Sequence, residues 1–169
     1  MNSNESWERE MRKIAISLFG IAIAFQTMAI DGYNSSLRIG MSKQELIDSN
    51  ICNFRDKEFR TLRCNDFLFK GEKANLETYF LKGGAGLDYV SVIIPSGVTV
   101  DDVYQGLVTK YGKPNKIKTV EEHSGKYEKF IFDDYHAALR KITQDNGDIS
   151  GTLYFRSDYY LKQINPDKE

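Results

Sequence analysis

Apolar residues follow a helical period over one clear segment of the chain. Between Val100 and Tyr111 they fall at i, i+3, i+4, i+7, i+8 and i+11, which is one face of a helix. Thr99 is a suitable N-cap, with Asp102 three residues later, and Gly112 can take the positive φ of a helix end. Pro114 cannot continue the helix. The pattern therefore predicts a helix that ends at "KYGKP".

A shorter helix is predicted from about Ser42 to Ser49. Ser42 is an N-cap, Glu45 completes a capping box, and Met41 is placed to pack against Leu46. The same N-cap pattern recurs at Thr99. The separation between Ser42 and Thr99 makes an internal repeat worth testing.

Each helix is followed by short aromatic and β-branched segments that are separated by turn signals, which is typical of antiparallel strands. Asn146-Gly147 is the strongest hairpin signal. In the first half the predicted strands are Phe59–Cys64, Phe67–Lys70, Leu76–Leu81 and Leu87–Ile94; in the second half they are Lys116–Glu121, Tyr127–Phe132, His136–Thr143 and Ile149–Phe155. Ser157 can cap a last short helix that carries Tyr160, Leu161 and Ile164.

This order predicts a single α+β domain over residues 37–169. It consists of two similar helix-plus-antiparallel-strand halves, at about 37–94 and 95–165. Layer rules place the short helices on one face of an antiparallel sheet and leave the other face partly open.

The glycines near Lys113 raise the possibility of a phosphate-binding loop. Such a loop requires G-x-x-x-x-G-K-[ST] after a strand. Five residues rather than four separate Gly106 from Gly112, and Pro114 stands where the hydroxyl is needed. The segment is therefore interpreted as a helix end, and no cofactor is predicted.

The N-terminus predicts export. Arg12 and Lys13 precede an apolar run of twelve residues, and Ala29 is a suitable cleavage site, so residues 1–29 are interpreted as a signal peptide. Met11 is an alternative translation start, and residues 30–36 are expected to be a flexible N-terminus. The run is short for a membrane span, which needs about 20 apolar residues, although an uncleaved anchor is the alternative. The predicted location is the periplasm.

Export changes how the two cysteines are interpreted. An oxidising compartment favours a disulfide between Cys52 and Cys64. The alternatives are free thiols, a catalytic thiol or a metal site. A zinc site would need His123 and His136, which do not have metal-ligand spacing, so no metal is predicted.

The composition of the chain excludes few classes of function. The 169 residues carry a net charge of −1, with basic and acidic residues mixed along the chain. Since no basic stripe is visible in the sequence, nucleic acid is a poor candidate partner.

Tyrosines are the candidate interface residues, because Tyr offers a large amphipathic contact area at low entropic cost. Six lie in or next to the predicted strands: Tyr79, Tyr89, Tyr127, Tyr154, Tyr159 and Tyr160. An exposed cluster on one sheet face would favour an interface over ordinary packing at strand edges.

No G-x-S-x-G, H-E-x-x-H or Cys–His signature occurs in the sequence, so no catalytic residue is predicted. The alternative is a small periplasmic hydrolase that uses His136 and Asp134, which would share a face if both lay on one strand.

The motifs "GMSKQEL", "LVTKYGKP" and "SDYYLKQI" resemble those of small exported bacterial domains related to the assembly lipoprotein BamE (the SmpA/OmlA family) and to β-lactamase inhibitor protein. The resemblance spans most of residues 37–164 and implies helices on an antiparallel sheet and a role in binding other proteins. It carries no catalytic residues. The chain lacks the lipobox cysteine of the lipoprotein and the Trp that follows "KYGKP" in many relatives.

The sequence thus predicts an exported, non-catalytic protein-binding module of the bacterial envelope, of accessory or inhibitor type. Its partner is expected to be another envelope protein, and no stable membrane insertion is expected after signal cleavage. The same module tethered by an uncleaved N-terminal helix remains an alternative.

Overall fold

The computed structural model of the protein describes residues 36–57, 60–84, 86–122 and 125–164. The predicted signal peptide and most of the flexible N-terminus lie outside these residues. Among these described residues there are three helices, α1 (Lys43–Asp48), α2 (Val100–Tyr111) and α3 (Asp158–Ile164). The described part of the chain also contains eight strands: β1 (Asp56–Lys57), β2 (Thr61–Phe69), β3 (Glu72–Tyr79), β4 (Tyr89–Ile93), β5 (Lys116–Glu122), β6 (Gly125–Phe132), β7 (Ala137–Gln144) and β8 (Ile149–Arg156).

The strands form one antiparallel sheet in the order β1-β2-β3-β4-β8-β7-β6-β5. The predicted α+β class is confirmed. Because β4 pairs with β8, the fourth strand and the last strand meet at the centre of the sheet, and β1 and β5 lie at its two edges.

The predicted starts of α1 and α2 are confirmed. The hydroxyl of Ser42 accepts from the amide of Glu45 at 3.1 Å, and the Glu45 carboxylate accepts from the amide of Ser42 at 2.7 Å. These bonds to Ser42 lower the pKa of Glu45. At α2 the hydroxyl of Thr99 accepts from the amide of Asp102 at 3.1 Å. The caps satisfy amides that would otherwise have no partner within the helix.

The helix-end interpretation of "KYGKP" is also confirmed. Gly112 follows the last residue of α2 with φ of 77°, and its amide donates to the carbonyl of Val108 at 2.9 Å. The apolar stripe of α2 faces inward, with Val103 and Leu107 almost fully buried.

The core lies between α1, α2 and one face of the sheet. Alternate residues of β8 point into it, and Leu153 and Phe155 are buried there, as the alternation predicted. Gly151 is required on the same face, because a Cβ there would come within 2.8 Å of the Val100 side chain of α2. We call the opposite side of the sheet the open face.

One strand prediction in the first half is wrong. The segments Phe59–Cys64 and Phe67–Lys70 are not separate strands, because Thr61–Phe69 runs continuously as β2. The register against β3 shifts between Cys64 and Phe67. The two polar residues that suggested the end of a strand lie in this bulge. A bulge places one extra residue in one strand without ending the pairing of the two strands.

The last helix departs from the prediction that all helices lie on one face. Ser157 caps it as predicted, accepting from the amide of Tyr160 at 3.0 Å. However, the ring of Tyr160 stacks on Tyr89, a residue of the open face. α3 therefore contributes to the open face.

The buried carboxylate of Asp88 holds the start of α3 to the β3–β4 loop. It accepts from the amide of Leu81 at 2.9 Å and from the hydroxyl of Ser157 at 2.8 Å. A Cβ on Gly84 would clash with this carboxylate. These bonds satisfy the charged group, which would otherwise be costly to bury.

The predicted disulfide is confirmed. Cys52, in the segment after α1, is bonded to Cys64 of β2 with a Cα–Cα distance of 6.3 Å. None of the helices among the described residues has the length and apolar character needed to cross a membrane.

Candidate functional site

Four of the six candidate tyrosines meet on the open face. Tyr79 of β3 pairs directly with Tyr89 of β4, and their ring centroids are 5.5 Å apart in an edge-to-face arrangement. Tyr154 of β8 lies 6.0 Å from Tyr89 on the other side. Tyr160 of α3 stacks on Tyr89 at 5.0 Å. We call Tyr79, Tyr89, Tyr154 and Tyr160 the tyrosine cluster.

The sheet register produces this cluster. Side chains alternate between the faces of each strand, so residues of the same phase on β3, β4 and β8 point the same way. All four rings are partly buried. Burial raises the pKa of the Tyr89 phenol, and the neighbouring Tyr154 adds to the shift. Tyr89 is therefore the desolvated centre of the cluster.

Two arginines, which the sequence analysis did not single out, flank Tyr154. The guanidinium of Arg156 lies 5.4 Å from the ring centroid, and that of Arg140 lies 5.8 Å away. Both distances suit a cation–π interaction. Arg156 lies two residues after Tyr154 on β8, so the alternation of side chains along a strand could have placed it on the same face. Arg140 lies on β7, and only the pairing of β7 with β8 brings it next to Tyr154.

Arg156 is unusual because it is buried, with only 6% of its surface exposed. Its Nη1 donates to the carbonyl of Tyr135 at 3.0 Å. Burial lowers the pKa of the guanidinium, and the nearby tyrosines, Tyr89 first, partly offset this effect. Arg140 donates from Nη2 to the hydroxyl of Thr152 at 3.1 Å.

The other two candidate tyrosines lie apart from the cluster. Tyr127 of β6 pairs with Ile142 of β7, on the same face but two strands beyond Tyr154. Tyr159 lies on α3, and its hydroxyl donates to the carbonyl of Lys82 at 2.8 Å. Tyr159 therefore anchors α3 to the β3–β4 loop.

His136 and Asp134 do not lie on one strand, which is the arrangement that the alternative hydrolase interpretation required. Residues 133–135 form a 3-10 turn rather than a strand, and Asp134 has φ of 45°. The partner of His136 is instead Asp158 of α3, with 2.7 Å between Nε2 and the carboxylate. Nδ1 donates to the carbonyl of Asp133 at 2.7 Å.

These contacts determine the protonation of His136. Burial opposes its charge, but the Asp158 carboxylate and the Asp133 carbonyl outweigh burial, so the pKa of His136 is raised. Nδ1 donates to the carbonyl of Asp133 and Nε2 faces the carboxylate of Asp158, so His136 links the turn at residues 133–135 to the start of α3.

Cys52, Cys64 and Asp66 are the one group of potential metal ligands that lie close together among the described residues. Both sulfurs are consumed by the disulfide, and a metal ligand must be a thiolate. Asp66 accepts from the amide of Asn53 at 3.0 Å. His123 lies outside the described residues.

A family model described as "Uncharacterised protein" matches residues 34–168. The chain belongs to this family. No curated protein and no solved structure matches the chain. The matched residues include every described helix and strand, so the tyrosine cluster lies within the family domain.

Proposed function

We propose that the protein is an exported, non-catalytic binding module of the bacterial envelope, of accessory or inhibitor type, and that it binds another protein through its open face. The observation that carries the proposal is the tyrosine cluster with its two arginines. Tyr and Arg are enriched at the energetic centres of protein interfaces, where rigid rings give contact area at low entropic cost.

The packing of the cluster supports this role. Tyr89 contacts Tyr79, Tyr154 and Tyr160, so its ring is held before any partner arrives. A pre-organised surface loses less entropy on binding than a mobile one. The disulfide supports export, because such bonds persist in oxidising compartments.

We further infer that the domain arose from two similar halves. The element order is one helix and four strands, repeated once, before α3. The sheet order β1-β2-β3-β4-β8-β7-β6-β5 is what two four-strand units produce when they join at their last strands. Both halves also begin with a hydroxyl N-cap, at Ser42 and at Thr99. Helices packed on an antiparallel sheet are what the proposed likeness to the BamE and β-lactamase-inhibitor domains implies.

The test is to capture the partner and then to measure which tyrosines its binding requires. The mature chain is crosslinked in an envelope extract, and the partner is identified by mass spectrometry and purified. Its affinity is then measured for the wild type and for Tyr127→Ala, Tyr154→Ala and Tyr159→Ala. We expect the two open-face variants to bind at least about tenfold more weakly, as hot-spot tyrosines do.

Tyr159→Ala is the matched control, because it removes the same side chain from α3, where Tyr159 contacts the β3–β4 loop rather than another strand of the open face. It should change the affinity by less than about threefold. Equal losses in all three variants, or wild-type affinity in both open-face variants, would contradict the proposed surface.

A further inference from the structure

Three basic side chains form one row across the strands of the open face. Lys118 of β5 pairs directly with Lys129 of β6, and Lys129 pairs directly with Arg140 of β7. We call Lys118, Lys129 and Arg140 the cationic row. Like charges directly opposite each other destabilise an antiparallel sheet, so this arrangement runs against the stability of the fold.

The surroundings of the row add positive charge. Lys116 lies two residues from Lys118 on the same face, and Arg156 lies on β8 beside Tyr154. Among the described side chains on this face of β5–β8, there is no carboxylate. Glu122, the last residue of β5, pairs with Gly125 at the tip of the hairpin, away from the row.

The opposite face of the same strands is charge-balanced. Lys126 forms an ion pair with Glu128 at 2.8 Å, and Lys141 forms one with Asp101 of α2 at 2.8 Å. By contrast, none of the members of the cationic row forms an ion pair with a described carboxylate. The net charge of the chain is only −1, yet in the folded protein the basic side chains of the row lie together on one face of the sheet.

The row is also partly desolvated. Lys118 is exposed, whereas Lys129 and Arg140 are partly buried. Burial lowers the pKa of Lys129, and repulsion from Arg156, Lys118 and Arg140 lowers it further. The Nε of Arg140 is buried without a hydrogen-bond partner among the described groups. Opposed like charges and a buried polar atom without a partner both reduce stability, and proteins typically retain such unfavourable features at functional sites.

We propose that the cationic row binds an acidic segment of the partner protein, one that carries several Asp or Glu side chains. The inference rests on the proposed function, because it names the chemistry that the same face recognises. The row spans two inter-strand spacings, about 10 Å, which two or three carboxylates of one segment can reach. The planar guanidinium of Arg140 suits a carboxylate, which it can bind through two parallel hydrogen bonds.

The aromatic neighbours favour a protein over single-stranded nucleic acid. Nucleic acids stack their bases on free aromatic faces. Here the ring of Tyr154 lies beside two guanidinium groups, and Tyr89 is surrounded by three other rings. The cluster therefore contributes hydrophobic and phenolic contacts beside the charges.

The test uses a fluorescein-labelled peptide in which Glu alternates with Ser, with binding to the intact domain followed by anisotropy. We expect binding that weakens as salt is added, because exposed charges are screened. Replacing both lysines of the row (Lys118→Gln with Lys129→Gln) should weaken binding by about tenfold or more. The matched control, Lys126→Gln with Lys141→Gln, removes two lysines from the opposite face and should change affinity by less than about twofold.

Thermal unfolding shows whether each variant is folded, and the row variant should be at least as stable as the wild type because it removes repulsion. Absence of peptide binding to the wild type overturns the inference, as does equal loss in the control. Tighter binding of oligothymidylate, or of vesicles containing phosphatidylglycerol, also overturns it.

The two proposals can fail separately. If the peptide does not bind while the captured partner still requires Tyr127 and Tyr154, only this inference fails. If the peptide binds but no partner requires those tyrosines, the proposed function fails.

Discussion

The ring of Tyr160 stacks on the ring of Tyr89, with centroids 5.0 Å apart and planes inclined by 28°. This contact joins the last helix to a central strand on the face opposite the main core. It makes the tyrosine cluster a product of tertiary structure, because β3, β4, β8 and α3 each contribute one ring.

The contact can be measured as a coupling energy. Tyr89→Ala, Tyr160→Ala and the double variant form a cycle, and stacked aromatic pairs contribute about 0.5–1.5 kcal/mol beyond the area that they bury. We expect a coupling in this range from urea unfolding curves. Strict additivity of the two changes would mean that α3 is not held to the sheet by this pair.

The disulfide should contribute strongly to stability. Cys52 and Cys64 are separated by 12 positions in the sequence, and the disulfide closes the loop between them. For the variant with Ser at both positions, the chain-entropy model gives a decrease of about 3 kcal/mol in the free energy of unfolding. Denaturant unfolding of the oxidised protein and the double variant measures it. Maleimide labelling is the control, because denatured but unreduced wild type should have no reactive thiol. A loss below about 0.5 kcal/mol would contradict a structural role.

The end of α2 should be sensitive at its apolar and conformational positions. Leu107 is 2% exposed, so Leu107→Ala should cost about 2–5 kcal/mol through the cavity it leaves. Gly112→Val should also destabilise, because Val tolerates positive φ poorly. Lys113→Ala is the control and should cost less than about 0.5 kcal/mol. Titration of the wild type with ATP and Mg²⁺ should give no heat of binding; micromolar binding lost in Lys113→Ala would contradict this account.

Stability should depend on pH through His136. Its pKa is raised in the folded state, so the stabilisation is fully present below its unfolded pKa of about 6.5 and is lost as pH rises through the folded pKa. The effect should be modest, about 0.5–1 kcal/mol, because the partner carboxylate of Asp158 is exposed to solvent. Urea unfolding across the range from pH 5.5 to about 8.5 measures it.

Asp158→Asn is the matched variant for this dependence. It keeps the shape of the side chain but removes the charge, so the decrease in stability with rising pH should become shallower. An unchanged profile would show that the histidine pair does not couple pH to folding.

The features predicted correctly depend on local physics. The caps at Ser42 and Thr99 and the helix end at Gly112 depend on residues within one or two turns, so their pattern is visible in the sequence. The inward and outward phases of β8 are likewise local, because side chains alternate along any strand.

The features that sequence analysis missed depend on register. The bulge of β2 keeps the strand paired across two polar residues, and nothing local distinguishes it from a turn. His136 pairs with Asp158, 22 residues away, because β8 returns the chain to the start of β7. Lys118, Lys129 and Arg140 are scattered among acidic residues in the sequence, and only the alignment of β5, β6 and β7 gathers them into a row.

Site-specific photo-crosslinking in intact cells measures whether the open face contacts another protein. A benzoylphenylalanine is introduced either at Tyr127 on the open face or at Gln105, an exposed residue of α2 on the opposite side. We predict a discrete adduct with another envelope protein from position 127 and none from position 105. Adducts of equal yield from both positions, or no adduct from position 127 in a folded and normally expressed protein, would contradict the account.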